Sequence, residues 1–151
     1  MADALSFRDA THADLPALAE LYEAAGIDPP GLNSAEAMAS AWQRLRREVP
    51  SARVLLAEQA GAVVGTLTCF VLPLLAHGGV PEAVVEDVVV HPRAQGQGVG
   101  RALMGEAMRI AREARCYKLA LSSNLKRTQA HAFYDRLGFA RHGVSFVAVP
   151  Q

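Results

Sequence analysis

The apolar positions of the chain change period several times, and each change marks an element. Leu5–Arg8 reads as a short strand. After it Leu15, Leu18, Ala19 and Tyr22 recur at helical spacing, with Gly26 as a stop. Pro29, Pro30 and Gly31 break the chain, and a second helix is predicted from about Ser34 to Glu48, closed by Pro50. Arg53–Glu58 and Ala62–Pro73 read as strands joined by a hairpin turn at Gln59, Ala60 and Gly61. A loop from Leu74 leads to Ala83–Val90, a β-branched run that reads as a buried strand.

A glycine-rich stretch follows, then a helix from Gly98 to about Arg115. Val99, Leu103, Ala107, Ile110, Ala111 and Ala114 form its apolar stripe. Cys116–Ser123 reads as another buried strand. The next helix runs to about Leu137, with Ala130, Phe133, Tyr134 and Leu137 on one side and Gly138 as its stop. Phe139–Val149 is predicted to close the chain as a strand. Strands that flank helices in the second half imply a crossover, hence a parallel pair inside a mixed sheet.

Composition narrows the classes. The 151 residues suit a single domain, 1–151, and a hydrophobic share of 51% supports a full core. Fifteen basic residues balance fifteen acidic ones, which argues against nucleic acid as a partner. Cys69 and Cys116 have no metal or redox spacing and read as small buried hydrophobes. No two histidines have metal-ligand spacing, so no metal is expected. The first ten residues lack the pattern of a signal peptide, and no apolar run reaches membrane-span length. The expectation is a cytoplasmic protein without a membrane partner.

The candidate chemistry starts in the glycine-rich stretch, Gln95-Gly96-Gln97-Gly98-Val99-Gly100-Arg101. A strand that ends in such a turn and opens a helix aims several backbone N–H groups at one spot. The helix dipole adds about half a positive charge there. Both favour an anion, most naturally phosphate or diphosphate, with Arg93 and Arg101 as flanking cations. A Walker loop is excluded because no Gly-Lys-Ser/Thr ending is present. A dinucleotide fingerprint is excluded by spacing: started at Gly96 its last glycine falls on Arg101, and started at Gly98 on Leu103.

Gln95-x-x-Gly98-x-Gly100 after Val88–Val90 resembles the acetyl-CoA diphosphate motif of the GNAT superfamily of N-acetyltransferases. The segment Ser122–Phe139 is similar to that family's strand, Asn, helix and Phe-Tyr-x-x-x-Gly-Phe signature. The resemblance spans nearly the whole chain and implies an α/β fold. Its sheet would be mixed and mostly antiparallel, with six or seven strands, a central splayed parallel pair and about four helices. It also implies acetyl transfer from acetyl-CoA to a primary amine of a small molecule in a ternary complex. Gln95, Gly96, Gln97, Gly98, Val99, Gly100 and Arg101 would hold the diphosphate. The main chain of Val88, Val89 and Val90 would hold the pantetheine arm and polarise the thioester. Asn124 matches a residue that contacts CoA, although it also suits a helix cap. Tyr134 matches the residue that protonates the departing thiolate, although it also suits core packing.

Deprotonation of the amine is less determined. Glu86 and Asp87 interrupt an apolar strand, and burying a carboxylate without a partner is expensive, so one of them should face a wet cleft. Adjacent strand residues point to opposite faces. Glu86 is the preferred base because it would share a side with Val88 and Val90. Asp87 would take an ion pair on the helix-covered face, and a water chain is the remaining alternative. His77 and His131 are candidates for contact with substrate.

The segment from Ser122 to Phe146 also resembles aminoalkylphosphonate N-acetyltransferases, and Val84–Met104 resembles glucosamine-phosphate N-acetyltransferases. Both point to an anionic small amine. Lys126 and Arg127 would clamp it, touch the 3′-phosphate of CoA, or be solvated charge. Acetylation of a protein amine and a non-catalytic CoA sensor are the competing readings. A homodimer is expected from the relatives' habit of pairing through the closing strand.

Overall fold

The structure, a computed structural model, describes residues 4–151. The N-terminal reading rests partly on residues 1–3, outside that range. Contacts divide the chain into two compact units, Met1–Ala120 and Leu121–Gln151.

The first unit holds β1 (Ser6–Asp9), α1 (Leu15–Ala25), α2 (Ala35–Glu48), β2 (Arg53–Gln59), β3 (Ala62–Leu72), β4 (Glu82–Val90), α3 (Val99–Glu113) and β5 (Leu119–Ala120). Its sheet runs in the order β1-β2-β3-β4-β5, antiparallel except for the last pair. Local chemistry explains the boundaries. Gly26 ends α1 at φ 63°, and its N–H reaches the carbonyls of Tyr22 and Glu23. Ser34 caps α2 by accepting from Ala37 N–H at 3.2 Å. β2 and β3 join through Ala60 and Gly61, both at positive φ, the two-residue turn whose twist matches a hairpin. Among the described residues no helix is long and apolar enough to cross a membrane.

Register assigns the two faces of the sheet. Val54 and Leu56 lie opposite Thr68 and Thr66. They cluster with Leu15 and Leu18 of α1, flanked by Met38, Ala39, Trp42 and Leu45 of α2. The other face carries α3, whose buried residues are Val99, Leu103, Met104, Ala107, Ile110 and Ala111. The stripe seen in the sequence is therefore the observed contact, widened by Met104 and without Ala114, which is the half-buried C-cap of the helix. At Gly65 the helix comes so close that a Cβ would meet Leu103 Cδ1 at 2.9 Å and Val99 Cγ1 at 3.0 Å. Gly65→Val is expected to cost about 1–3 kcal/mol by overpacking this contact. The urea midpoint reads that cost at constant slope, and an unchanged midpoint would show that α3 can step back without loss.

β1 guards its outer edge with charge. Arg8 grips Asp14 at 2.7 Å and Glu58 at 2.8 Å, and Arg53 grips Asp9 at 2.8 Å. The Arg8 guanidinium holds the Asp14 carboxyl well below the usual carboxylate range.

The second unit holds α4 (Thr128–Arg136), which ends before Gly138 at φ 87°. Two sequence expectations fail around it. The strand expected over Cys116–Ser123 is laddered only at Leu119 and Ala120, and these two are half-buried. The strand expected over Phe139–Val149 belongs to no ladder among the described residues. Among the described residues four α-helices match the expectation, but the sheet has five strands rather than six or seven. Alternating apolar residues show that a segment suits a ladder; they do not supply the neighbour.

Candidate active site

The parallel pair exists and is brief. Ala83 pairs with Leu119 and Val84 with Ala120, and the ladder stops there. From Val85 to Val90, β4 stays laddered to β3 on one side and to no strand on the other among the described residues. Main-chain N–H and C=O groups on that open edge are available to a ligand.

β4 also contains a bulge. Thr68 lies opposite Glu86 and Thr66 opposite Val89, so Leu67 alone faces the pair Asp87 and Val88. Asp87 takes φ 52°, a left-handed conformation that Asp tolerates better than most residues. The extra residue inverts the alternation used to choose between the two carboxylates. Glu86 shares a face with Val89, Thr66 and Thr68, the face covered by α1 and α2. Val90 sits opposite Gly65 on the α3 face. The expected side-sharing of Glu86 with Val88 and Val90 is thus corrected: strict alternation ends at the bulge.

Asp87 stands within electrostatic reach of Tyr22 and Asp28. Burial raises the Tyr22 phenol to about 12, and the Asp87 carboxylate adds to that. The Asp87 carboxyl is itself raised, first by the protein packed around it and then by Asp28, although part of the residue reaches solvent. Asp28 accepts from Asn33 Nδ2 at 2.7 Å, which fixes the loop after α1. Tyr22 had been read only as part of an apolar stripe. Its proximity to Asp87 depends on the bulge and left no periodic signal in the sequence.

Beyond β4 the chain makes a tight turn. His91 Nδ1 accepts from Arg93 N–H at 3.1 Å, which gives this histidine a structural task. Gln95 donates to the Val90 carbonyl at 3.3 Å and Gln97 to the Arg93 carbonyl at 2.8 Å. Gly96 and Gly98 have φ 75° and 83°. A Cβ at either would meet no protein atom within 4 Å, so crowding by the fold does not demand glycine there. The first helical hydrogen bond runs from Ala102 N–H to Gly98 C=O at 3.0 Å. The N–H groups of Val99, Gly100 and Arg101 precede it and open the helix unpaired within it. The Val99 side chain is buried, so only its main chain can serve a ligand. The Arg93 and Arg101 guanidiniums are exposed and have no ion pair among the described residues. Main-chain donors at a helix start, bare Cα positions and two free cations fit a diphosphate.

The family model for the acetyltransferase (GNAT) family matches residues 18–139. The chain belongs to the GNAT family. Glucosamine 6-phosphate N-acetyltransferase of Trypanosoma brucei brucei is 36% identical over 90 residues, 60% of this chain and 59% of that protein. Aminoalkylphosphonate N-acetyltransferase of Salmonella typhimurium is 34% identical over 98 residues, 64% of this chain and 62% of that protein. The matches thus span about three fifths of these relatives' own length. A solved Trypanosoma brucei acetyltransferase superposes with a TM-score of 0.81 at 27% identity, covering 97% of this chain and 100% of that one. Acetyl-CoA is the donor that GNAT acetyltransferases use.

The remaining residues of this GNAT chain singled out in the sequence lie in the second unit, except His77. Asn124 Oδ1 accepts from Lys126 N–H at 2.9 Å, and the Asn124 carbonyl accepts from Arg127 N–H at 2.9 Å. Its side-chain oxygen therefore shapes the turn before α4 rather than capping the helix, whose N-cap position is Arg127 and receives no side-chain cap hydrogen bond. His131 Nε2 lies 2.9 Å from the Asn124 carbonyl oxygen, which ties the helix to that turn. The Tyr134 ring stands edge-on to Phe133 at 5.1 Å and to Phe139 at 5.8 Å. Burial raises the Tyr134 phenol above its ordinary value, opposed by Arg127. It is a neutral hydrogen donor near pH 7. In the first unit His77 stacks on Tyr117 with ring centres 4.6 Å apart.

Proposed function

We propose that this chain, acting as one catalytic domain over 1–151, transfers the acetyl group of acetyl-CoA to a primary amine of a small molecule. The observation that carries the reading is the unpaired amide cluster at the start of α3, set directly after a strand with an open edge, in a GNAT chain. Gln95 through Arg101 hold the diphosphate. Main-chain groups of Val88–Val90 receive the pantetheine arm, and an N–H near Val88 stabilises the oxyanion that forms on the thioester. Asn124 contributes to CoA contact through its amide nitrogen, which no hydrogen bond engages among the described residues.

The amine nitrogen attacks the thioester carbon, the C–S bond breaks, and the thiolate takes the proton of Tyr134. The ammonium proton leaves through the acidic step Glu86–Asp87. Of the two, Asp87 suits the task better: its raised affinity for a proton brings it closer to working pH. The names of the relatives favour a small amine carrying a phosphorus oxyanion. Lys126 and Arg127, both exposed, are the cations offered to it.

Thiol release from acetyl-CoA, measured over panels of phosphorylated amino sugars, aminoalkylphosphonates, amino sugars without phosphate, and peptides, tests the reading. Turnover confined to peptides, or binding without turnover on every panel, would sink it. The base is tested by pH. Asp87 must be ionised, so wild-type kcat/KM should fall as pH drops through its raised pKa. Asp87→Asn should lose that acid limb while Glu86→Gln keeps it. The reverse pattern would return the role to Glu86.

A further inference from the structure

Between the β2–β3 hairpin and the turn after β4, the first unit holds an open cavity of about 400 Å³. That size lies within the range of small-molecule sites, about 300–1,000 Å³. Its walls are Gln59, Ala60, Ala62, Val64, Arg93 and Ala94. Val99 and Gly100, whose amides open α3, do not line it.

Two features of the chain leave this space unfilled. Ala60, Ala62 and Ala94 stop at Cβ, where longer side chains would occupy the volume. A second bulge adds to it. Glu58 lies opposite Val63 and Ala57 opposite Gly65, so Val64 is an extra residue of β3. Such a residue bends its strand and re-aims the side chains beside it. The Val64 carbonyl accepts from His91 N–H at 2.8 Å, which ties the bulge to the turn after β4.

The lining is apolar at its floor and cationic at its rim. Val64 and Ala94 are buried, whereas Arg93 is exposed and has no ion pair among the described residues. The main chain of Arg93 is held on both sides. Its N–H donates to His91 Nδ1 at 3.1 Å, and its carbonyl accepts from Gln97 Nε2 at 2.8 Å. A cation carried on a pinned turn has less freedom to lose when it grips a ligand. A guanidinium is a planar fork that meets a carboxylate with two parallel hydrogen bonds. Arg93 is the one charged residue of the lining, which matches a single carboxylate better than a more highly charged anion. The alanines and Val64 suit an apolar body behind it.

We propose that this cavity is a binding site for a small organic carboxylate with an apolar body, gripped by Arg93 above a floor of Ala62, Val64 and Ala94. The site rests on the cavity and its cation and is independent of the acetyl-transfer reading.

Benzoate titrated into the intact chain, followed by amide chemical shifts, is the test. It is expected to bind saturably and to move the amides of 59–62, 93 and 94. Arg93→Gln is expected to weaken binding about ten-fold or more. Ala62→Leu fills the cavity and keeps the cation, so it supplies a second variant and should exclude benzoate. Benzyl alcohol, which lacks the charge, and inorganic phosphate, which lacks the apolar body, should leave those amides unmoved. Benzoate shifts confined to 99–101 overturn the proposal, because the anion then sits at the start of α3. Equal binding in both variants overturns it, as does benzyl alcohol or phosphate moving the same amides as tightly as benzoate. Shifts that never saturate also overturn it, and mark an adventitious additive only.

Discussion

Gly98→Glu is expected to abolish the thermal stabilisation that acetyl-CoA confers. Two effects act together. At φ 83° a side chain strains the cap of α3, which costs of order 1 kcal/mol. The larger effect falls on the ligand: a carboxylate is placed where a diphosphate must approach main-chain N–H groups, so like charges meet at short range. Because a Cβ at Gly98 meets no protein atom within 4 Å, the substitution leaves packing intact. The variant should fold and fail to bind. A wild-type ligand contributes about 2.7 kcal/mol at a hundred times its Kd, and this is the shift that should vanish. Gly98→Ala separates the two effects, since it keeps the strain without the charge, and should retain most of the coenzyme shift. An undiminished shift in Gly98→Glu would place the coenzyme elsewhere.

Tyr134→Phe is expected to lower kcat by about a hundred-fold or more, the usual worth of a positioned proton donor. Acetyl-CoA affinity should change little. Phe preserves the ring and with it the edge-on contacts to Phe133 and Phe139. A residue that serves packing alone would therefore give a variant with normal turnover, and steady-state kinetics decides between the two roles. The raised phenol fits the assignment, since a donor must hold its proton until the thiolate forms.

The elements most legible in the sequence were those whose signals agree. α1 has helical spacing and ends at a left-handed Gly26, α2 begins at a capping Ser34, and α3 starts where the glycine run stops. The hairpin was legible because Gln59-Ala60-Gly61 interrupts two strand-like apolar runs, and the structure places the turn at Ala60 and Gly61. The tight turn before α3 was legible because its glycines stand between a β-branched run and a helical apolar stripe, and Gly96 and Gly98 take positive φ. The bulge at Asp87 was not. It is one residue inserted into a regular pattern, and the pattern read across it gives the wrong face for Glu86. β5 and the closing segment were read as strands from composition, which reports an appetite for pairing rather than a partner.

The close approach at Gly65 has a consequence for donor choice. Val99 is the first residue of α3, and it is wedged against β3 where Gly65 lies opposite Val90. On the reading proposed above, the amides that would grip one end of the coenzyme therefore cannot slide relative to the strand that would receive the other end. The molecule behaves as a fixed gauge. A coenzyme whose pantetheine arm is one methylene longer or shorter would seat its nucleotide and present its thioester out of step. Such a compound occupies the site without donating.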